Sequence, residues 1–201
     1  LMAAELAKLQ QRVTPLDQSV MEPLLRAAID DFDARIATID WTPLGSASIA
    51  QVYAARLTDG TDAVIKVRRP RVAEEVRRDG QVMRNMTLLV ERRSEWARTI
   101  GLADIASAFV ADLELELDYA HEARAAAELA TSFADASVDI PSIHVELSND
   151  RVIVMERVDG SVLADADLTT ISDERRSSMA IGLIGAQVAA MLNGERFHAD
   201  L

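Results

Sequence analysis

Residues 45–52 read Gly-Ser-Ala-Ser-Ile-Ala-Gln-Val, and Lys66 follows 14 residues after Val52 within Ala-Val-Ile-Lys at 63–66. β-Branched and small residues fill the surrounding stretch 36–56, and Thr-Asp-Gly-Thr at 58–61 is a hairpin turn signal. The pattern predicts an antiparallel meander of three strands at about 37–45, 49–57 and 62–68. Lys66 then lies in the middle of the third strand.

Helices and two further strands are predicted on either side of this meander. A short amphipathic helix is expected over residues 16–29, and long helices over 71–96 and 102–133. Another helix is expected from a cap at Ser172 or Asp173 to about 193, ending at Gly194. Strands at 145–147 and 151–155 flank the turn signal Ser-Asn-Asp at 148–150. The apolar face of the helix at 102–133 is predicted to comprise Leu102, Ile105, Phe109, Leu113, Leu117 and Ala120.

Net charge and cysteine content make several classes of function and site less favourable for this chain. The 201 residues carry a formal net charge of −12, which disfavours nucleic acid as a partner of the whole surface. The chain has no cysteine, so disulfides and thiolate metal sites are excluded. Neither a signal peptide nor a membrane-spanning run is predicted, which leads us to expect a cytoplasmic location, with membrane association in the full-length protein.

The small-residue segment has the spacing of a kinase nucleotide loop, G-x-G-x-x-G-x-V. Its key positions hold Gly45, Ala47, Ala50 and Val52. Small residues let backbone N–H groups approach phosphates, although the same residues are common in tight strand turns. Because Lys66 occupies the place of the lysine that kinases use to hold the α- and β-phosphates, the functional interpretation is favoured over an ordinary solvent-facing lysine.

Three further positions fit the same scheme. A kinase lysine needs a carboxylate partner on a neighbouring helix, and Glu122 is the candidate, four residues after Asp118 on one predicted helical face. The strand at 151–155 is predicted to lead into a hinge at Glu156 and Val158. Asp200 in His-Ala-Asp-Leu at 198–201 fits the start of a catalytic loop. Each pattern also occurs by chance, as a solvated face, a plain strand end or a chance pair of residues.

Five segments together resemble the UbiB (AarF) family of atypical kinase-like proteins: PLGSASIAQVYAARL, VIKVRRP, ELELDYAHEA, VMERVDG and FHADL. The resemblance implies an α+β fold, a protein-kinase-like small lobe with a five-stranded antiparallel sheet and inserted helices, plus the first helices of the large lobe. It implies that Lys66, Glu122 and Asp200 are catalytic. The nucleotide-binding residues that it implies are Gly45, Ser46, Ala47, Ser48, Ala50, Gln51, Val52, Lys66, Glu116, Asp118, Glu156 and Val158.

The resemblance also sets expectations about what lies outside the chain. Tyr53 stands where the family commonly has histidine, which leaves the motif intact. The family's magnesium-binding Asn and Asp are expected after Leu201, so the sequence is expected to be a fragment and no metal ligand is assigned. We predict three regions: a helical extension at 1–35, a kinase-like small lobe at 36–158, and the start of a large lobe at 159–201.

Two functions from different classes follow from the resemblance. The first is an ATP- and Mg²⁺-dependent kinase or ATPase that supports the biosynthesis of ubiquinone or another isoprenoid quinone. Its partners would be isoprenoid lipids or proteins of that pathway. The second is a nucleotide-binding regulator without phosphoryl transfer. An ordinary protein kinase is a weaker third alternative, because the alanine-rich loop and the Glu116–Asp118 pair argue against it.

Overall fold

The computed structural model describes residues 13–133, 138–160 and 166–194. Helices and an antiparallel sheet alternate along the chain, which confirms the α+β class and the kinase-like order of elements. Two short 3₁₀ helices lie at Val145–Leu147 and Leu168–Thr170. The remaining elements are α1 (Gln18–Ala28), α2 (Phe32–Arg35), β1 (Ile36–Ser46), β2 (Ala50–Leu57), β3 (Asp62–Arg68), α3 (Val72–Arg93), α4 (Glu95–Thr99), α5 (Leu102–Glu116), α6 (Tyr119–Ser132), β4 (Val152–Glu156) and α7 (Asp173–Asn193).

The sheet has the order β1-β2-β3-β4, with every neighbouring pair antiparallel. Side chains alternate between its two faces, as a strand period of two requires. One face packs against α1, where Met21 and Leu25 are fully buried against sheet residues such as Ile65 and Val154. The helix predicted at 16–29 therefore contributes to the hydrophobic core on one face of the sheet. The opposite face carries Lys66.

The sheet has four strands in the described part of the chain, and the predicted strand at 145–147 is wrong. Those residues form a 3₁₀ helix, and the pairing beside β4 is limited to a single bridge between Ile143 and Met155. The physical reason lies in Ser148, whose Oγ accepts a hydrogen bond from Val154 N at 3.0 Å and donates one to the His144 carbonyl at 2.9 Å. A side chain thus takes the place that a fifth strand's backbone would occupy.

The helix predicted over 102–133 is two helices, α5 and α6, which meet at Leu117 and Asp118. The predicted apolar face is also wrong in part, because Ile105 and Phe109 are 55 % and 51 % exposed. The buried residues of α5 are Ala103, Ala106 and Val110.

Close packing between α3 and α5 explains which face of α5 is buried. A Cβ built at Gly80 of α3 would lie 2.6 Å from Cγ1 of Val110. Only a glycine on α3 and small residues on α5 allow the two helices to approach this closely. Size complementarity, rather than the largest apolar side chains, therefore selects the contact face.

The ends of α7 follow the prediction. Ser172 accepts a hydrogen bond from Arg175 N at 3.3 Å, and Gly194 ends the helix with φ +69°. The helix predicted at 71–96 ends earlier, at Arg93, because Ser94 caps the separate helix α4. In the ranges that the structure describes, no helix is both long and apolar enough to cross a membrane.

Candidate nucleotide site

Lys66 and Glu122 form an ion pair between β3 and α6. The Lys66 ammonium lies 2.8 Å from Oε1 and 2.7 Å from Oε2 of Glu122, so both carboxylate oxygens accept from it. Lys66 is placed by the register of β3, where it lies opposite Val52 of β2 and Ile153 of β4. The pair is partly open to solvent, with the Lys66 side chain 25 % and the Glu122 side chain 43 % exposed. The structure thus shows the predicted pairing, while its role in holding phosphates stays a prediction.

Tyr119 is a third member of this group that the sequence analysis missed. The Lys66 ammonium lies 4.7 Å from the centroid of the Tyr119 ring, within cation–π distance. Tyr119 is fully buried, and its hydroxyl has no hydrogen-bond partner among the described residues. Burial, together with the nearby Glu122 carboxylate, raises the pKa of the Tyr119 hydroxyl. Its spacing of three residues from Glu122 on a helix was the signal that could have identified it.

Asp118 has a structural role that was not predicted, while its part in nucleotide binding stays a prediction. It is the N-cap of α6, and its Oδ1 accepts from Ala120 N at 3.1 Å and from His121 N at 3.3 Å. Asp118 is therefore not on one helical face with Glu122, because the helix starts after it. The cap fixes the first turn of α6, which carries both Tyr119 and Glu122. Glu116 is exposed at the end of α5 and makes no hydrogen bond or ion pair with a described residue.

The loop predicted to cover the phosphates is a tight hairpin between β1 and β2. Gly45 lies opposite Val52, and the N–H of Ala47 donates to the Ala50 carbonyl at 2.9 Å. Among the described residues 45–50, no backbone φ is positive, so the left-handed freedom of glycine is not required there. Ser48 and Ile49 form the tip, and their N–H groups donate to no described backbone carbonyl. These N–H groups are the ones that a phosphate could reach.

Arg69 fastens the hairpin to the end of β3. Its Nη2 donates to Ser46 Oγ at 2.7 Å, and its backbone N–H donates to the Ile49 carbonyl at 2.8 Å. The same Nη2 lies 2.8 Å from the Thr14 carbonyl, which ties in the N-terminal segment. The hairpin is thus held at two points rather than free to swing. Sequence analysis missed this contact, for which the only signal was an arginine pair directly after a strand.

Gln51 was predicted to bind nucleotide, and the structure corrects this for its side chain. Gln51 is fully buried on the sheet face opposite Lys66. Its Oε1 accepts from Leu16 N at 2.8 Å, and its Nε2 donates to the Tyr53 hydroxyl at 2.7 Å. Strand alternation is the reason, since Gln51 and Tyr53 lie on one face while Ala50 and Val52 lie on the other.

The predicted hinge begins where β4 ends, and its role in binding the base stays a prediction. Glu156 ends β4, but its backbone N–H donates to the Ser142 carbonyl at 2.8 Å and its carboxylate accepts from Ser142 Oγ at 2.9 Å. Hydrogen bonds from the Ser142 backbone and hydroxyl lower the pKa of Glu156. Val158 is exposed, and the candidate Asp200 lies outside the described residues. In the described ranges, no group of three or more His, Asp or Glu side chains is arranged to hold a metal ion.

Lysine is rare in this chain, which makes Lys66 more distinctive. The sequence contains two lysines, Lys8 and Lys66, whereas arginine supplies the other 19 of its 21 basic side chains. Arginine is always protonated and well suited to surface ion pairs, whereas lysine is a compact charge on a flexible stem. Lys66 is the one lysine among the described residues, where every other basic side chain apart from histidine is arginine.

Comparison with known proteins gives a consistent result. The sequence profile of the ABC1 atypical kinase-like domain matches residues 8–201. A protein named probable protein kinase UbiB from Pseudomonas putida is 32 % identical over 206 aligned residues, which cover 99 % of this chain and 37 % of the relative. A protein of the same name from Azotobacter vinelandii is 34 % identical, with the same coverage. The chain thus spans little more than a third of the length of these curated relatives.

A solved structure shows the same fold. The Mycobacterium tuberculosis protein Rv3197, determined as a complex with erythromycin, superimposes with a TM-score of 0.73 at 26 % sequence identity. The match covers 88 % of this chain and 44 % of that protein. The arrangement of the sheet and its helices is therefore shared with a known structure over most of the chain.

Proposed function

Because this chain belongs to the family of ABC1 atypical kinase-like proteins, we propose that it binds ATP on the sheet face that carries Lys66. The bidentate contact between Lys66 and Glu122 is the observation that carries the proposal. A kinase uses this pair to hold the ammonium where it meets the α- and β-phosphates. The Tyr119 ring supports the same ammonium from a second direction.

Each part of the site has a distinct role in this proposal. The N–H groups of Ser48 and Ile49 at the hairpin tip would donate to phosphate oxygens, while Val52 would cover the base from the sheet side. Lys66 would neutralise charge on the phosphates, and Glu122 would keep its side chain extended. Mg²⁺ would supply further charge neutralisation, but the described residues assign no ligand for it.

The reaction and its biological setting are proposed from the family. We infer a kinase or ATPase activity that supports isoprenoid-quinone biosynthesis, with Asp200 orienting the nucleophile and with isoprenoid lipids or proteins of that pathway as partners. The alternative is nucleotide binding as a regulatory signal without phosphoryl transfer. Release of ADP by the purified full-length protein with Mg²⁺ distinguishes the two, since a regulator binds ATP without releasing ADP.

The scarcity of lysine allows a direct test of the site. The protein is treated with an amine-reactive acylating reagent, with and without ATP, and labelling is measured for each peptide by mass spectrometry. ATP should protect Lys66 by at least about tenfold, because bound phosphates would cover an ammonium whose side chain is 25 % exposed without them. Lys8 serves as an internal reference. Equal labelling of Lys66 with and without saturating ATP would refute the proposed site.

A further inference from the structure

Five arginines surround a cavity at the end of β3, on the α1 side of the sheet and away from Glu122. Its volume is about 340 Å³, within the range of about 300–1,000 Å³ that is usual for small-molecule sites. Leu24 and Ala27 of α1 form part of its wall, and Glu74 is its single acidic lining residue. The arginines that line it are Arg68, Arg69, Arg71, Arg77 and Arg151.

Most of this positive charge is uncompensated by the described residues. The side chains of Arg71 and Arg77 make no hydrogen bond or ion pair with a described residue, and both are exposed at the rim. The guanidinium of Arg69 donates only to the neutral oxygens of Thr14 and Ser46, and its buried Nε has no partner among the described residues. Charge therefore accumulates here although the chain has a net charge of −12.

The ion pairs of two cavity arginines are longer than those of some arginines elsewhere in the described residues. The nearest carboxylate oxygen to Arg68 or Arg151 belongs to Asp150, at 3.7 Å from each. By contrast, Arg26 and Arg56 lie 2.7 Å and 3.1 Å from aspartate oxygens. Three of the five cavity arginines, Arg69, Arg71 and Arg77, thus lack an ion pair with a described residue, and the other two share one carboxylate.

A neighbouring cavity lacks the excess of positive charge that the first cavity has. It has a volume of about 310 Å³ and shares Arg68 and Arg77 with the first cavity, but three carboxylates also line it. Its charges are nearly balanced, so it offers an anion no comparable attraction. The carboxylates belong to Glu114, Asp118 and Asp150.

We propose that the first cavity, here called the arginine cavity, binds a phosphate-bearing ligand. Guanidinium groups hold phosphate oxygens in bidentate pairs, and several converging arginines favour a doubly charged anion over a carboxylate. The first turn of α3 adjoins the cavity, where the helix dipole also favours negative charge. The ligand is either a free diphosphate or the phosphate headgroup of a lipid. This cavity adjoins the nucleotide site, since Arg69 also holds the hairpin at Ser46, but the proposal does not depend on that site.

The test uses an Arg71→Gln/Arg77→Gln variant, because neither side chain has a hydrogen bond or ion pair with a described residue to lose. The matched control is Arg78→Gln/Arg92→Gln, which removes the same charge from α3 but does not alter the cavity lining. The full protein is titrated calorimetrically with inorganic pyrophosphate. It is also floated with vesicles of phosphatidylcholine alone or mixed with phosphatidic acid.

Pyrophosphate affinity should fall at least about tenfold in the cavity variant and stay within about twofold in the control, as loss of charge-assisted hydrogen bonds predicts. Vesicle binding that needs phosphatidic acid and is lost only in the cavity variant would support the lipid-borne source. The proposal is overturned if neither probe binds, or if the control weakens binding equally. It is also overturned if Lys66→Ala abolishes pyrophosphate binding while the cavity variant retains it.

Discussion

The ion pair between Lys66 and Glu122 can be measured as a coupling free energy. The perturbations are Lys66→Met, Glu122→Gln and the double variant, and the free energy of unfolding is measured for each by urea titration at neutral pH. The coupling free energy is the difference between the loss of unfolding free energy in the double variant and the sum of the losses in the two single variants.

The structure sets the expected magnitude. Unit charges 2.7 Å apart attract by about 6 kcal/mol at an effective dielectric constant of about 20, and by about 1.5 kcal/mol in bulk water. Because the Glu122 side chain is 43 % exposed, solvent screening and the cost of holding two side chains reduce the net term. We expect a coupling of about 1 kcal/mol at low salt, and less near 1 M salt, where the Debye length is about 3 Å.

A second cycle provides the control. Glu116→Gln makes the same chemical change six residues earlier, at a carboxylate without an ion pair to a described residue, so its coupling to Lys66→Met should be close to zero. A coupling below about 0.3 kcal/mol for Glu122, or equal coupling in both cycles, would refute the assignment of Glu122 as the partner that fixes Lys66.

Two further variants test the packing of Tyr119 beside Lys66 and of Gly80 between α3 and α5. Tyr119→Phe removes a buried hydroxyl that has no hydrogen-bond partner in the described part of the chain, so stability at neutral pH should rise by about 1 kcal/mol in urea titrations. The folded-state pKa of Tyr119 is raised, so the wild-type protein should also lose stability as pH rises above about 10. Tyr119→Phe should reduce this loss. Parallel profiles of stability against pH for the two proteins would contradict the reasoning. Gly80→Ala should destabilise the protein by about 1–3 kcal/mol, since its Cβ would overlap Val110, despite a gain in helix propensity. Adding Val110→Ala should restore part of the loss, and an unchanged melting temperature in Gly80→Ala would show that the helices are not tightly packed.

Local sequence signals were sufficient where the structure depends on near neighbours. The turn signal at 58–61 places β2 and β3 in register, and the observed β3 has the predicted bounds, Asp62–Arg68. Ser172 and Gly194 likewise mark the ends of α7, because caps act on the backbone within a few residues. The pairing of Lys66 with Glu122 was predictable only through the order of motifs, since the two are 56 residues apart.

The residues that were misassigned share one cause, namely that their roles depend on distant partners. Asp118 lies in a helical pattern, yet it caps a new helix where α5 ends. Gln51 lies within the small-residue motif, yet its side chain binds the backbone of Leu16, 35 residues away. The turn signal at 148–150 predicted a strand before it, yet the Ser148 hydroxyl accepts the Val154 N–H that such a strand would have paired.

The sequence by itself determined the α+β class, the meander around Lys66 and the family, because these depend on periodicity, turn chemistry and the spacing of motifs. Tertiary structure alone decided which face of each element is used. Whether a side chain reaches the nucleotide face, the α1 core or the arginine cavity depends on strand register and on which helices approach closely. Those are properties of contacts between distant segments, such as Gly80 against Val110, and no local pattern specifies them.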